Sequence, residues 1–273
     1  MSHLLRIGAV EYLNTAPLVC GLPEYAPNAI LEFDLPSRLA DRLSAGELDV
    51  ALAPSVEIAR HPEWTVLSTA CIGCRGAVLS VKLYFRCEPQ HVKTLALDEG
   101  SRTSAVLAQI LLAEQFGVRP RLTPLPIGCD GDDCDADAVL VIGDRAIRGT
   151  LAGACETWDL GEKWLDSTGL PFVFAAWAAR PGVDVWSLEA ALDAARDQGC
   201  RQLEAIAAER SAGMNLPQGM VLAYLRDHLH FYLGASERQG LTTFCRKAAS
   251  LGLLPSHTSF NYHDSTTRSG TRV

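Results

Sequence analysis

Thr94-Leu95-Ala96-Leu97-Asp98-Glu99-Gly100-Ser101-Arg102-Thr103-Ser104 reads as a strand, a tight turn and the opening of a helix. The apolar run stops at Asp-Glu-Gly, and Ser101 then stands where an N-cap belongs, before a helical pattern that continues to about Phe116. Gly117 follows as the residue that closes it. Within the helix Val106, Leu107, Ile110 and Leu111 share an apolar face, leaving Gln109 and Glu114 for solvent. Strand, turn and helix in this order form the repeating unit of an α/β fold with a parallel sheet.

Working outward, the same unit recurs. Leu5–Val10 leads into Tyr12-Leu13-Asn14-Thr15-Ala16-Pro17-Leu18. Residues 35–43 carry Leu39 and Leu43 four apart, stop at Gly46, and give way to Leu48-Asp49-Val50-Ala51-Leu52, whose period of two is that of a strand ending at Pro54-Ser55. Ala138–Ile142 ends at Gly143-Asp144 before another helical segment. Pro171-Phe172-Val173-Phe174-Ala175-Ala176-Trp177 reads as a buried strand, residues 188–253 as almost entirely helical, and residues 256–273 as a polar, flexible tail. The strong units split into a group before Cys87 and a group from Lys93 to about Trp177. This predicts two lobes, residues 1–86 with 178–273 and residues 87–177, with hinges near Tyr84 to Cys87 and Phe174 to Ala178. In open α/β sheets ligands lie beyond the carboxyl ends of the strands, which between two lobes means the cleft. Tyr12 to Thr15, Pro54-Ser55, Ser101 to Ser104 and Gly143-Asp144 therefore matter most.

Composition narrows the function. With 273 residues, 48% hydrophobic and 21% charged, the chain is an ordinary globular protein able to bury a core. Against 32 Asp and Glu stand 24 Lys and Arg, a net charge of −8 that repels nucleic acid and anionic membrane. No apolar run approaches the roughly 18 residues of a membrane span, and the start, Met1-Ser2-His3-Leu4-Leu5-Arg6, carries no leader pattern. Nine cysteines, an odd number scattered from Cys20 to Cys245, fit reduced thiols in a cytoplasm. Cys71-Ile72-Gly73-Cys74 has knuckle spacing without a second pair, and the acidic loop from Asp130 to Asp137, with Cys129 and Cys134, lacks calcium-loop spacing, so no metal is expected. No glycine-rich nucleotide loop and no nucleophile elbow occurs; His228 and His230, two apart on the expected late helix, form no dyad.

Chemistry is left to the strand ends. Ser101, Thr103 and Ser104 place three hydroxyls at a helix start, where free N–H groups and the helix dipole favour a carboxylate or phosphate. The plainer reading is that Ser101 caps its own helix. Arg102 either clamps an anion or reaches solvent. Asn14 either orients a ligand hydroxyl through its amide or caps a turn, and Asp144 either binds substrate or caps the helix after Gly143.

The strand-end segments together carry a family resemblance. Residues 6–18, residues 46–55, Ala96-Leu97-Asp98 with Ser101-Arg102-Thr103-Ser104, Ile142-Gly143-Asp144, Asp159-Leu160-Gly161 with Trp164, and residues 168–177 resemble the chorismate dehydratases of the futalosine route to menaquinone. The resemblance covers nearly the whole chain up to the C-terminal helices. Tyr-Leu-Asn-Thr, Ser-Arg-Thr-Ser and Thr-Gly-Leu-Pro-Phe-Val-Phe are its specific strings.

It implies a two-lobed periplasmic-binding-protein-like fold of type II, with a hinge and an interlobe cleft, working as a cytoplasmic hydro-lyase without a cofactor. The implied reaction, the first step of the route, converts chorismate to 3-(1-carboxyvinyloxy)benzoate and water, with chorismate as the small-molecule partner of a monomer or homodimer. It further implies that Asn14 holds the departing hydroxyl while Ser55, Ser80, Ser101, Thr103, Ser104, Gly143 and Asp144 contact substrate. The base is either the substrate's own enolpyruvyl group or Asp144. Glu11 and residues 70–80, taken as the loop preceding the hinge, depart from the family pattern, although Ser80 matches. Two alternatives remain: a non-catalytic small-anion binding protein, and the sister lyase that forms 1,4-dihydroxy-6-naphthoate, whose N-terminal loop is of different composition.

Overall fold

A computed structural model describes residues 4–129, 131–185 and 188–263. In chain order come β1 (Leu5–Val10), a 3-10 turn (Leu13–Leu18), α1 (Leu22–Tyr25), β2 (Ala29–Asp34), α2 (Pro36–Ser44), β3 (Val50–Pro54), α3 (Ser55–Arg60) and β4 (Thr65–Cys74). Next are β5 (Val81–Phe85), β6 (Thr94–Asp98), α4 (Thr103–Phe116), β7 (Arg121–Leu125), β8 (Ala138–Ile142), α5 (Asp144–Arg148), β9 (Glu156–Asp159) and α6 (Leu160–Thr168). The chain then runs through β10 (Phe172–Ala179), α7 (Leu188–Arg201), α8 (Leu203–Met214), α9 (Gln218–Ala223), a π turn (Tyr224–His228), β11 (His230–Tyr232), α10 (Ala235–Ser250) and β12 (Asn261–Tyr262).

The strands form two sheets. One has the order β11-β4-β10-β3-β1-β2, with β12 beside β4, and the other β7-β6-β8-β5-β9. Each has a parallel centre, β2-β1-β3 in the first and β7-β6-β8 in the second, as the strand-turn-helix units predict. Each also holds an antiparallel insertion: β10 pairs with β3 and β4, and β5 with β8 and β9. These are the strands on which the chain enters one lobe from the other.

That pairing corrects the expected boundaries. β5, expected in the first lobe, pairs in the second sheet; β10, expected almost wholly in the second lobe, pairs in the first. The crossings therefore fall earlier than Tyr84 to Cys87 and Phe174 to Ala178, at residues 75–80 and 169–171. Every residue of β10 is buried, because it lies between two strands and under helices on both faces.

Three further expectations change. Of residues 70–80 only 75–80 form the loop at the crossing, since β4 occupies Thr65–Cys74 with most of its length buried. The stretch after residue 188 is broken by β11, where His230-Phe231-Tyr232 alternates inward and outward beside β4. The tail is ordered as far as described: β12 runs parallel to β4, and the Arg238 guanidinium lies 4.1 Å over the Tyr262 ring. Residues 264–273 lie outside the described residues.

α4 differs from its expected one-sided pattern in an instructive way. Its residues 103–108 and 110–112 are all buried, so it is apolar around its whole girth. A helix of that kind has neighbours on every side. It packs on β8 and α6 of its own lobe and on α3, α10 and β10 of the other, and the buried core runs through it from one lobe to the next. The second crossing is closed by aromatic rings: Trp164 of α6, Phe172 of β10 and Phe244 of α10 meet edge to face at 5.2 to 6.4 Å.

Candidate functional site between the lobes

The cleft holds about 520 Å³ of empty space, open mouth included, and is lined from both lobes by the ends of β1, β3, β8 and β10 and the start of α4. Its walls are mostly apolar, from Val10, Pro36, Pro54, Ile72, Val78, Val81, Ile142 and Phe174. The polar groups are Tyr12, Asn14, Ser80, Ser101, Thr103, Ser104 and Arg102. Among the described residues no Asp, Glu, His or Lys lines it, and the one formal charge on that lining is the guanidinium of Arg102.

Asn14 sits inside the 3-10 turn that follows β1, 9% exposed, and caps nothing: the cap position belongs to Tyr12 and has no side-chain bond. Its amide oxygen accepts from the Thr15 hydroxyl at 3.4 Å. The turn is pressed onto α7, where Gly199 lies against the backbone of Pro17 so closely that a Cβ would come within 2.0 Å of its carbonyl oxygen. Beside Asn14, the Tyr12 ring covers Gly143, which adopts φ +71° and ψ −154°, a region only glycine occupies readily. Burial, then the Asp98 charge, push the Tyr12 phenol pKa up, so it remains a donor at neutral pH.

Ser101 does not cap α4. The N-cap position is Arg102, and the Ser101 hydroxyl is buried without a hydrogen-bond partner. A buried, unpartnered hydroxyl beside the N-terminus of a 14-residue helix, where the helix dipole is positive, suits an anion. The turn before it is held by Asp98, which is 1% exposed. Its carboxylate accepts from Gly100 N at 3.0 Å, Ile142 N at 3.0 Å and Arg145 Nη2 at 2.6 Å. One carboxylate thus positions both the Gly100 turn and the end of β8.

Ser80 lies on the first crossing, in a segment under strain. Leu79 has φ +60°, costly for a γ-branched side chain, and is kept there by Asp159. The Asp159 carboxylate accepts from Val78 N at 2.9 Å and Leu79 N at 2.7 Å while also capping α6 through Gly161 N and Glu162 N.

Not every expected contact faces the cleft. Ser55 is wholly buried behind Pro54 and donates to Val173 O at 2.8 Å. Asp144 is not on the lining: its carboxylate reaches across to the other lobe and accepts from Leu13 N at 3.0 and 3.3 Å. Burial raises its pKa. Thr103 does line the cleft, but its hydroxyl donates to Phe174 O at 3.0 Å and accepts from Val56 N at 3.2 Å, both across the lobe boundary. Arg102 likewise spends its guanidinium on Asp41, at 2.7 Å to each oxygen, and on Glu57. Asn14, Ser80, Ser101, Thr103, Ser104 and Gly143 are thus brought together; Ser55 and Asp144 are not. The strand-end rule reaches Tyr12 as part of the segment Tyr12 to Thr15 but gives it no role of its own, since the packing of its ring on Gly143 is a contact between segments 131 residues apart.

No cluster of three or more His, Cys, Asp or Glu that could hold a metal ion occurs among the described residues, and no described helix is long and apolar enough to cross a membrane.

Known proteins agree with this architecture. A protein from Archaeoglobus fulgidus superposes with a TM-score of 0.75 at 16% identity, covering 93% of this chain and 99% of its own. The periplasmic aliphatic sulphonate binding protein of Escherichia coli superposes with a TM-score of 0.65 at 15% identity, covering 100% of this chain and 96% of its own. At these identities the likeness is one of fold, the two-lobed periplasmic-binding-protein-like fold. In sequence, the chain is 31% identical to the chorismate dehydratase of Thermus thermophilus over 87% of this chain and 96% of that protein. It is 30% identical to the chorismate dehydratase of Campylobacter jejuni over 62% of this chain and 64% of that one. A family model described as menaquinone biosynthesis matches residues 5–250, and the chain belongs to that menaquinone biosynthesis family.

Proposed function

We propose that this protein is a chorismate dehydratase, a hydro-lyase of the cytoplasm that removes water from chorismate to give 3-(1-carboxyvinyloxy)benzoate. The observation that carries the reading is the composition of the cleft: hydroxyls and a helix start suited to a carboxylate on one lobe, an amide on the other, and no carboxylate or imidazole among the described residues that line it. The Ser101 hydroxyl and the first N–H groups of α4 take a substrate carboxylate, with Ser104 on the same wall. Asn14 holds the C4 hydroxyl as it departs. The C3 proton is lost, the C4–O bond breaks, and the ring becomes aromatic, which supplies the driving force.

A cleft with no carboxylate or imidazole base among its described lining residues favours the substrate's own enolpyruvyl carboxylate as the proton acceptor. The walls then contribute geometry and exclusion of water. Asp144, the rival base, has its carboxylate engaged with Leu13 N and stands off the lining.

The test is to incubate the purified protein with chorismate, without metal or nucleotide, and follow loss of one water by mass spectrometry. Turnover in the wild type, with an Asn14→Ala variant that binds chorismate and turns it over about a hundredfold more slowly, is the expected result. Tight binding without turnover in the wild type would leave a binding protein instead.

Asp144→Asn is expected to retain turnover within about threefold; a loss of two orders of magnitude would restore Asp144 as base. Its stability profile carries a sign. Because burial raises the Asp144 pKa above the ordinary 3.8, the folded state holds that proton more tightly than the unfolded state. The stability of the wild type relative to Asp144→Asn should therefore fall as pH rises from about 3.8 through the raised value, then level off. Urea melts of both proteins across that window measure it.

A further inference from the structure

The Tyr224 side chain is fully buried, and its hydroxyl closes no hydrogen bond of its own, yet its polar neighbours are the side chains of Asn14 and Ser80. Both of those line the cleft, while Tyr224 stands behind them and off the lining. A phenylalanine would fill the same volume without leaving a hydroxyl unpaired, so the oxygen is a cost to the fold at this position. The backbone is unusual at the same place: Tyr224 opens the π turn Tyr224–His228, a widening of the helix that turns residues inward and is common at functional sites. The far end of that turn is anchored to the crossing that carries Ser80, through His228 Nδ1 and Ala77 O at 2.9 Å.

We infer that Tyr224 is a positioning residue for the dehydration, its hydroxyl fixing the Asn14 carboxamide so that the amide N–H faces the departing oxygen. The inference rests on the reading of Asn14 given above. Asn14 Oδ1 already accepts from Thr15 Oγ1, from within its own turn. The unpartnered Tyr224 hydroxyl is the second donor within reach on the protein side; taking it up when substrate is bound fills the amide oxygen and leaves Nδ2 for the cleft, the orientation needed to donate to a hydroxyl gaining negative charge. Burial keeps the phenol protonated, hence a donor, throughout the working pH range.

Tyr224→Phe tests this with three readings: thermal unfolding, kcat and KM for chorismate. The expected result is a kcat lowered about tenfold, a KM within twofold of wild type, and a melting temperature unchanged or raised. Introduced into Asn14→Ala, the same substitution should leave the residual rate unchanged, because the amide through which Tyr224 acts is gone. Wild-type kcat in Tyr224→Phe would overturn the proposal. So would a loss of kcat that travels with a lower melting temperature, or an equal tenfold loss in the Asn14→Ala background, since either shows an effect not routed through the amide. A wild type that turns over no chorismate removes the reading of Asn14 and this inference with it; an active wild type matched by Tyr224→Phe removes the inference alone.

Discussion

Gly143→Ala is expected to lower turnover by more than a hundredfold and stability by about 3 kcal/mol. Two separate costs meet at this residue. The first is conformational, since φ +71° with ψ −154° is strained for any residue with a Cβ, by about 1–3 kcal/mol. The second is steric: an added Cβ would stand 2.8 to 2.9 Å from three atoms of the Tyr12 ring. If the ring yields, Asn14, two residues further along and on the same cleft wall, is displaced with it. A misplacement of about 1 Å near the reacting atoms is enough for the hundredfold. The two costs separate in the double variant: Tyr12→Ala in the Gly143→Ala background should recover the steric part of the melting temperature and leave the strain. Thermal unfolding and chorismate turnover of the three variants decide the matter, and a Gly143→Ala protein that melts and turns over like the wild type would refute the account.

Gly199→Ala should be nearly as damaging, from a site that touches no substrate. In the middle of a helix, glycine to alanine ordinarily gains about 1 kcal/mol. Here the new methyl would lie 2.0 Å from Pro17 O and 2.5 Å from Pro17 Cα, and what it meets is backbone. Either α7 or the 3-10 turn must shift, and overpacking of this kind costs about 1–3 kcal/mol or somewhat more. The expected net is a loss of about 2 kcal/mol, a melting temperature lower by about 4–8 °C, and turnover lower by one to two orders of magnitude because the turn carries Asn14. An increase in melting temperature, as helix propensity alone would give, would show that the close approach is relaxed.

How much of this was legible beforehand depended on how each element announces itself. β1 and β8 agree residue for residue with their reading, because each is an apolar run ended by a change of chemistry, Glu11 in one case and Gly143-Asp144 in the other. β4 escaped because Ser68, Thr69, Gly73 and two cysteines interrupt its apolar character, although its position between β10 and β11 buries it regardless. The boundaries of the lobes escaped for a related reason: β5 and β10 look like any apolar run, and only long-range pairing assigns them to a sheet. For the site, the rule that ligands lie at strand ends picked loops that the structure gathers around one cleft. It does not say where a side chain turns, so it could not separate Ser101, which faces the cleft, from Ser55, which turns to Val173 O. The orphan hydroxyls of Ser101 and Tyr224 have no sequence signature at all, since an unsatisfied group is defined by what surrounds it in space.

The Ser101 hydroxyl belongs to one lobe and the Asn14 amide to the other, so a bound molecule that engages both acts as a fastener between the halves. On the roles proposed for Ser101 and Asn14, a compound with the carboxylate but no hydroxyl in the right place would grip one half and leave the latches at Thr103, Arg102 and Asp144 to hold the halves alone. Fidelity in such a protein is exercised before any bond breaks, by whether the two halves come to rest around the guest. Related acids in the cell would then compete weakly for occupancy and hardly at all for reaction.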